Sequence, residues 1–217
     1  TCNDCDTVVK KIVLKPEIWK RQSKTHKEIS NMINLSDENI RTPKVLKYCK
    51  RLKDNGSIEE IIEMEKVEGS IRDEIINYTK SYELNEIDIN TFDKKVSHLL
   101  KESLIQLKFI HSIGYIHDDP HLGNFAFIKG RVGVIDLESA TKFEDTSVDY
   151  LKFYASFVLL KAFSILSNIE GETVKIIKEL IPHFTNISEF GVRMIVTRNY
   201  KQEELAKKGM DFYFENK

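Results

Sequence analysis

The 217 residues carry 41% hydrophobic and 31% charged side chains with a net charge of −1, the balance of a globular protein with a sizeable core, built as one large domain or two small lobes. No apolar run approaches the roughly 18 residues of a membrane-spanning helix, and the first residues show no signal-peptide pattern. Three cysteines, Cys2, Cys5 and Cys49, are too few for a disulfide framework and suit a reducing cytoplasm. The Cys2-x-x-Cys5 spacing finds only Cys49 and His26 as partners for a metal, so loop thiols are expected. Nothing has the form of a nucleic-acid-binding module.

The even net charge hides a division. Residues 10–53 hold thirteen Lys and Arg against four acids, a local balance of +9, whereas residues 54–93 hold three against twelve, or −9. The basic part is read as facing an anionic membrane surface or a phosphorylated saccharide. The alternative is a solvated face with compensating charge nearby.

In chain order, Thr7–Leu14 is a β-rich run closed by Lys15-Pro16, and its period of two puts Val8, Lys10 and Ile12 on one face and Val9, Lys11 and Val13 on the other. Glu17–Leu35 has no internal Gly or Pro, and Ile18, Ile29, Met32 and Ile33 predict a helix. Val45–Cys49 and Ile58–Val67 are predicted strands, with a turn at Asn55-Gly56 between them. Ser70–Tyr78 is expected as a short helix and Ser81–Asn90 as a polar loop. Thr91–Ile113 is the strongest helix: Leu99, Leu100, Ser103, Leu104, Leu107 and Ile110 recur at three- and four-residue steps, and Gly114 stops it. His98 and His111 are expected on its surface.

The next stretch, residues 115–138, carries the chemistry. Phe125–Ile128 is a predicted strand, Lys129-Gly130-Arg131 a turn and Val132–Ile135 the returning strand. Asp119 and Asn124 precede this hairpin and Asp136 follows it. Such a set suits phosphoryl transfer from ATP: the first carboxylate orients the attacking hydroxyl and takes its proton, while the amide and second carboxylate hold Mg²⁺ on the phosphates. Beyond it, Asp149–Ile165 is apolar nearly all round and predicts one buried helix opened by Asp149 as its cap. Gly171–Ile181 predicts another helix, and Ile187–Phe214 two short ones with a basic patch at Arg193, Arg198, Lys201, Lys207 and Lys208.

His117-x-Asp119-x4-Asn124 followed by Val134-Ile135-Asp136 resembles the catalytic loop and metal-binding Asp of the protein-kinase-like superfamily. Asp119-Pro120-His121-x-Gly123-Asn124-Phe125 with Ile135-Asp136-Leu137 is most similar to the bacterial lipopolysaccharide core heptose kinases. Asp118 stands where protein kinases place Arg, and after Ala140 there is neither a long activation segment nor an Ala-Pro-Glu end marker. The resemblance implies an α+β, bilobal protein-kinase-like fold: a small β-rich N-lobe over residues 1–66 with one helix, and a mainly helical C-lobe over 67–217 holding the catalytic loop 117–124 and Asp136.

The same resemblance implies the remaining roles. Lys10, with Lys11 as the alternative, would pair with the α- and β-phosphates, and Glu28 would salt-bridge that lysine. Met64 would border the adenine pocket, with the backbone of Glu65 and Val67 bonding the base. His117 is expected as a structural residue beneath the loop, and Asp149 as a tie to the loop's backbone. His121 would touch phosphate or the loop, and Glu138 is either a second metal contact or a surface acid. The first glycine is Gly56, so a phosphate-covering glycine-rich loop either precedes Thr1 or is dispensed with.

The implied function is an ATP- and Mg²⁺-dependent phosphotransferase acting on a hydroxyl, foremost a heptose of the lipopolysaccharide inner core. It would be cytoplasmic, with peripheral contact at the inner membrane. Two alternatives are a compact serine/threonine protein kinase such as a bacterial effector, and a pseudokinase binding module. Phosphate appearing on a protein hydroxyl would single out the first, and Mg·ATP binding without turnover the second.

Overall fold

A computed structural model describes residues 7–12, 16–35, 40–52, 54, 56, 58–142 and 145–184; within 7–12, 16–23, 48–52 and 58–61, and at Asn34, it describes the backbone alone. The expectations for Cys2, Cys5, Lys15 and 185–217, including the second basic patch, lie outside the described residues.

Strands β1 (Thr7–Ile12), β2 (Val45–Leu52) and β3 (Ile58–Glu65) form an antiparallel sheet in the order β1-β3-β2. The register sets Lys10 opposite Ile62 and Lys11 opposite Ile61. Directly opposite residues share a sheet face, and Ile62 is buried, so Lys10 holds a place on the inward face. Between β1 and β2 runs helix α1 (Pro16–Asn34), with Pro at its first position, where no intrahelical N–H bond is lost. His26, Ile29, Ser30 and Ile33 are its buried residues among those described, while Met32 is 42% exposed. The expected stripe is corrected accordingly. At 3.6 residues per turn the row 26-29-30-33 faces inward, and 32 falls beside it.

Ser70 caps α2 (Ile71–Glu83), its Oγ accepting the Asp73 N–H at 3.1 Å. This helix runs past the predicted end at Tyr78, because Ile71, Ile75 and Thr79 form one buried stripe. The predicted loop over 81–90 shrinks, since Asp88 already caps α3 (Ile89–Ser112) by accepting the Thr91 N–H at 2.7 Å. All six residues of the predicted α3 stripe are buried. Then follow β4 (Tyr115–Ile116), a 3₁₀ turn (Leu122–Asn124), the hairpin β5 (Phe125–Ile128) and β6 (Arg131–Val134), a second 3₁₀ turn (Leu137–Ser139) and β7 (Thr141–Lys142). β4 pairs with β7, and the hairpin closes in the register Phe125↔Val134 to Ile128↔Arg131.

The single helix predicted over 149–165 is two: α4 (Ser147–Val158) and α5 (Lys161–Leu166), separated by Leu160 in an extended conformation. No Gly or Pro marks that break. It lets Phe157 and Phe163 meet edge to face at 5.9 Å, a tertiary contact that periodicity does not encode. Helix α6 (Glu172–Leu180) and a 3₁₀ turn (Ile181–Phe184) complete the described chain. One hydrophobic cluster joins Ile29 and Ile33 of α1 to α2, α3, the hairpin, α4 and Phe184, so α1 packs on the same core as the other helices.

The N-terminus of α6 is capped by another helix. The Asp93 carboxylate on α3 accepts the N–H groups of Glu172 (2.8 Å) and Thr173 (3.0 Å), answering two donors that the helix itself leaves unbonded. A Cβ at Gly171 would stand 2.6 Å from Asp93 Oδ2, so only glycine permits this approach. Asp93→Ala should destabilise the protein by about 2 kcal/mol, and Gly171→Ala should act in the same direction. Urea unfolding midpoints check both.

Candidate active site

The site is held from beneath by one carboxylate. Asp149, on the first turn of α4, is fully buried. Its Oδ2 accepts the His117 N–H at 2.7 Å and its Oδ1 the Asp118 N–H at 2.9 Å. Nε2 of His111 lies 2.9 Å from Oδ2. The expected capping role is therefore replaced: Asp149 makes no side-chain bond to its own helix and bonds the catalytic stretch, the tie that the family resemblance implied. His111 is likewise corrected from a surface residue to a nearly buried partner of Asp149, with 9% of its side chain exposed.

His117 is fully buried. Its Nε2 lies 2.9 Å from the Ile135 carbonyl, so it must donate, and Nδ1 accepts the Asp119 N–H at 3.4 Å. Both ring nitrogens are thus used by a neutral imidazole, and burial holds its pKa below the usual 6.5. The ring bridges the loop before the hairpin to the strand end after it.

The residues expected to carry the chemistry lie along the chain at that crossing. Asn124 Nδ2 donates to the Asp119 carbonyl at 2.9 Å, and the Ile135 N–H donates to the Asn124 carbonyl at 2.9 Å. Asp119, Asn124 and the residue before Asp136 are therefore linked by direct bonds. Asp119 keeps its carboxylate 45% exposed. Asp118 and Asp136 both adopt left-handed backbone, φ 63° in each case, a conformation that Asp tolerates better than most residues. At Asp136 it turns the chain sharply after β6 and into the Leu137–Ser139 turn.

His121 accepts the Gly123 N–H on Nδ1 at 3.1 Å, which places the proton of the neutral ring on Nε2, 3.6 Å from Asp119 Oδ2. Burial lowers its pKa against the opposing pull of Asp119. Asp118, in the place of the protein-kinase arginine, is held by Lys152 of α4, which donates to both its carbonyl and its carboxylate, the latter at 3.0 Å. Ser139 Oγ donates to the His117 carbonyl at 3.2 Å.

Glu28 lies farther back. Its Oε2 accepts from the Tyr115 hydroxyl at 2.9 Å and its Oε1 lies 3.8 Å from the Lys24 ammonium. Burial first, then this bond, push the Tyr115 pKa up to about 12. α1 packs against the Leu137–Ser139 turn, with a cavity of about 350 Å³ between them bordered by Lys24, Glu28, Tyr115, Glu138 and Lys142. The structure thus brings Glu28 beside the segment following Asp136. The side chains of Lys10 and Lys11 lie outside the described residues. In the segment expected to border the base, Met64 and Val67 are half-buried. The Glu65 N–H already donates to the Lys44 carbonyl at 3.0 Å, so any contact of Glu65 with a base falls to its carbonyl. Glu68 N–H to Phe127 O (2.9 Å) and Phe127 N–H to Gly69 O (3.0 Å) fasten this segment to the hairpin.

Among the described residues no three His, Cys, Asp or Glu side chains gather as a metal site. Asn124 and Asp136 are the residues that could hold a metal: the Asn124 amide N–H is spent on the Asp119 carbonyl, which leaves its Oδ1 as the acceptor. Two hard oxygens are what Mg²⁺ takes from protein when phosphates and water complete its shell.

Residues that sequence reasoning passed over are Tyr115, Ser139 and Lys152. Only Lys152 left a signal: it lies one helical turn after Asp149, on the same face.

Residues 61–152 match the family model of the lipopolysaccharide core biosynthesis protein WaaY, and the resemblance to the lipopolysaccharide core kinases holds over that span. It runs from β3 to Lys152 and includes every residue of the catalytic stretch, but neither Lys10 nor Glu28. Comparison with curated proteins yields no match. Among solved structures, a chain described as WaaP in complex with acyl carrier protein is similar at 14% identity and a TM-score of 0.47, over 97% of this chain and 80% of that one.

His117 makes stability depend on pH with a definite sign. Its folded pKa lies below the unfolded 6.5, so its contribution is complete above 6.5 and is lost as pH falls from there toward the folded value. The urea midpoint should therefore drop between pH 7.5 and 5.5, and His117→Gln should flatten that slope. Asp149→Ala, which strands two buried amides, should lower stability by about 3 kcal/mol, read from thermal unfolding.

Proposed function

We propose that this chain is a kinase that moves the γ-phosphate of ATP to a sugar hydroxyl, foremost a heptose of the lipopolysaccharide inner core. The observation that carries the reading is the bonded frame Asp119–Asn124–Ile135. It keeps an exposed carboxylate, an amide oxygen and the Asp136 carboxylate at one end of a short hairpin, in a span that also matches the WaaY family.

Asp119 is the base. Its half-exposed carboxylate orients the acceptor hydroxyl and takes the proton as the acceptor oxygen bonds to the γ-phosphorus and the bond from that phosphorus to the ADP oxygen breaks. Asn124 Oδ1 and Asp136 would hold Mg²⁺, which when bound neutralises charge on the phosphates. His121 keeps its Nε2–H toward Asp119, aligning that carboxylate. Lys152 sets an ammonium against Asp118, which prevents a second free carboxylate from crowding the base.

Lys10, at the inward register position opposite Ile62, is the lysine of choice for the α- and β-phosphates, with Lys11 the alternative on the other face. Glu28 would support it from α1. Met64 and Val67, with the Glu65 carbonyl, would border the base. The N-lobe and C-lobe division at about residue 66 follows from the same reading, because the cleft then lies between the sheet and the hairpin. Asp136 and the start of α4 at Ser147 are separated by one 3₁₀ turn and a two-residue strand among the described residues. That span offers no platform for a peptide, and this favours a saccharide over a protein acceptor.

Asp119→Ala should lower phosphotransfer by at least about a hundredfold while leaving the thermal midpoint unchanged, since no side-chain hydrogen bond of the frame is lost. An active, folded Asp119→Ala protein refutes the mechanism. With γ-labelled ATP and Mg²⁺, label is expected in lipopolysaccharide core and not in a mixed protein extract, and Asp136→Ala should abolish it. Label in protein alone would assign a protein kinase. Lys10→Ala should impair transfer far more than Lys11→Ala; the reverse order would exchange their roles.

A further inference from the structure

We infer that the face formed by the second half of α1 and the start of β2 docks this protein on an anionic phospholipid bilayer. A hollow of about 330 Å³ lies between these elements, and Lys27, Ser30, Asn31, Lys44, Leu46 and Lys47 line it. No acid is among its lining residues. Among the described residues Lys27 and Lys47 show no ion pair, as is also true of Lys94, Lys108 and Lys178 on other helices, and Lys44 lies near enough to Glu65 to help hold that carboxyl below its usual range. The acids nearest in register belong to β3. Glu65 is engaged by the Lys129 ammonium at 2.9 Å and the Lys44 N–H at 3.2 Å, and Glu63 stands opposite Lys47.

Beside the three cations stand two exposed aliphatic side chains, Leu46 at 48% and Leu35 at 88%. Lys27, Asn31 and Leu35 follow at four-residue steps, and the Leu35 N–H still bonds the Asn31 carbonyl at 3.1 Å, so they form one stripe of the helix. Ammonium groups next to protruding aliphatic side chains are the chemistry of a membrane interface: the lysines meet headgroup phosphates while the leucines enter the acyl boundary. A soluble phosphate would engage the lysines and leave the leucines without use. The inference rests on the membrane-face saccharide proposed above as acceptor, and supplies the contact that would hold the enzyme where that acceptor lies.

Flotation of the full chain with phosphatidylcholine vesicles, with and without phosphatidylglycerol, tests it. Binding is expected only to the anionic vesicles, weakening with salt. Lys27→Ala/Lys44→Ala/Lys47→Ala should lower the binding constant at least about tenfold, and Leu35→Ser/Leu46→Ser should remove the part that resists salt. The control Lys94→Ala/Lys108→Ala/Lys178→Ala, equal in charge removed and exposed on other helices, should bind as the unaltered chain does. Absence of binding, equal binding to neutral vesicles, or equal loss in the control overturns the proposal. Since binding alone is read, a chain that floats but transfers no phosphate overturns the reaction and leaves the docking, and a chain that transfers phosphate but never floats does the converse.

Discussion

The site depends on a buried carboxylate surrounded by donors. Asp149 has no contact with water, and an isolated charge in such a place would be very costly. Two backbone N–H groups and the His111 imidazole answer it. The exchange is reciprocal, because the two amides belong to a loop whose left-handed Asp118 has no regular secondary structure to receive them. Removing either side would leave buried polar groups without partners, so loop and carboxylate hold each other. α4 is built around this need: its aromatic residues Phe153 and Phe157 are buried in the core, and the polar contact at its first turn fixes how far it lies from the catalytic stretch.

From that anchor the order spreads by short bonds. His117, with its backbone N–H on Asp149, bonds Ile135 by its ring; Ile135 bonds Asn124; Asn124 bonds Asp119. The first two links join residues on opposite sides of the hairpin and the third lies within the loop before it, so Asp119, Asn124 and the strand end before Asp136 keep their spacing through backbone groups, the His117 ring and the Asn124 amide N–H. The neutral state of His117 belongs to the same arrangement, since both of its nitrogens already have roles that a protonated ring would not serve. Tyr115 extends the linkage to α1 through Glu28, which connects the position of that helix to the start of the catalytic stretch.

Much of this is legible in the residues. The α3 stripe from Leu99 to Ile110 could only be one face of a helix, and it is buried as expected. The hairpin between Phe125 and Val134 follows from two short apolar runs about Lys129-Gly130. The spacing of Asp119, Asn124 and Asp136 is readable in the chain, and the WaaY match spans all three positions. Boundaries were less legible. α2 runs beyond Tyr78 because Ile75 and Thr79 are buried, and the 149–165 run breaks at Leu160, where neither Gly nor Pro gives warning. Met32 departs from the expected stripe because hydrophobicity alone cannot tell which of two adjacent apolar residues faces inward.

The sequence by itself determined the identity and order of the chemical groups, because those rest on residue type and on separations of a few positions, which backbone geometry translates directly into strand, turn and helix. Tertiary structure alone decided what each buried polar group touches. That Asp149 serves a loop thirty residues away instead of its own helix end, that His111 lies against it and not in solvent, that Lys152 holds Asp118 and Tyr115 holds Glu28, all depend on how elements pack. The physical reason is that a buried donor or acceptor must find a partner, and the partner is whichever group the packing of apolar side chains brings within about 3 Å.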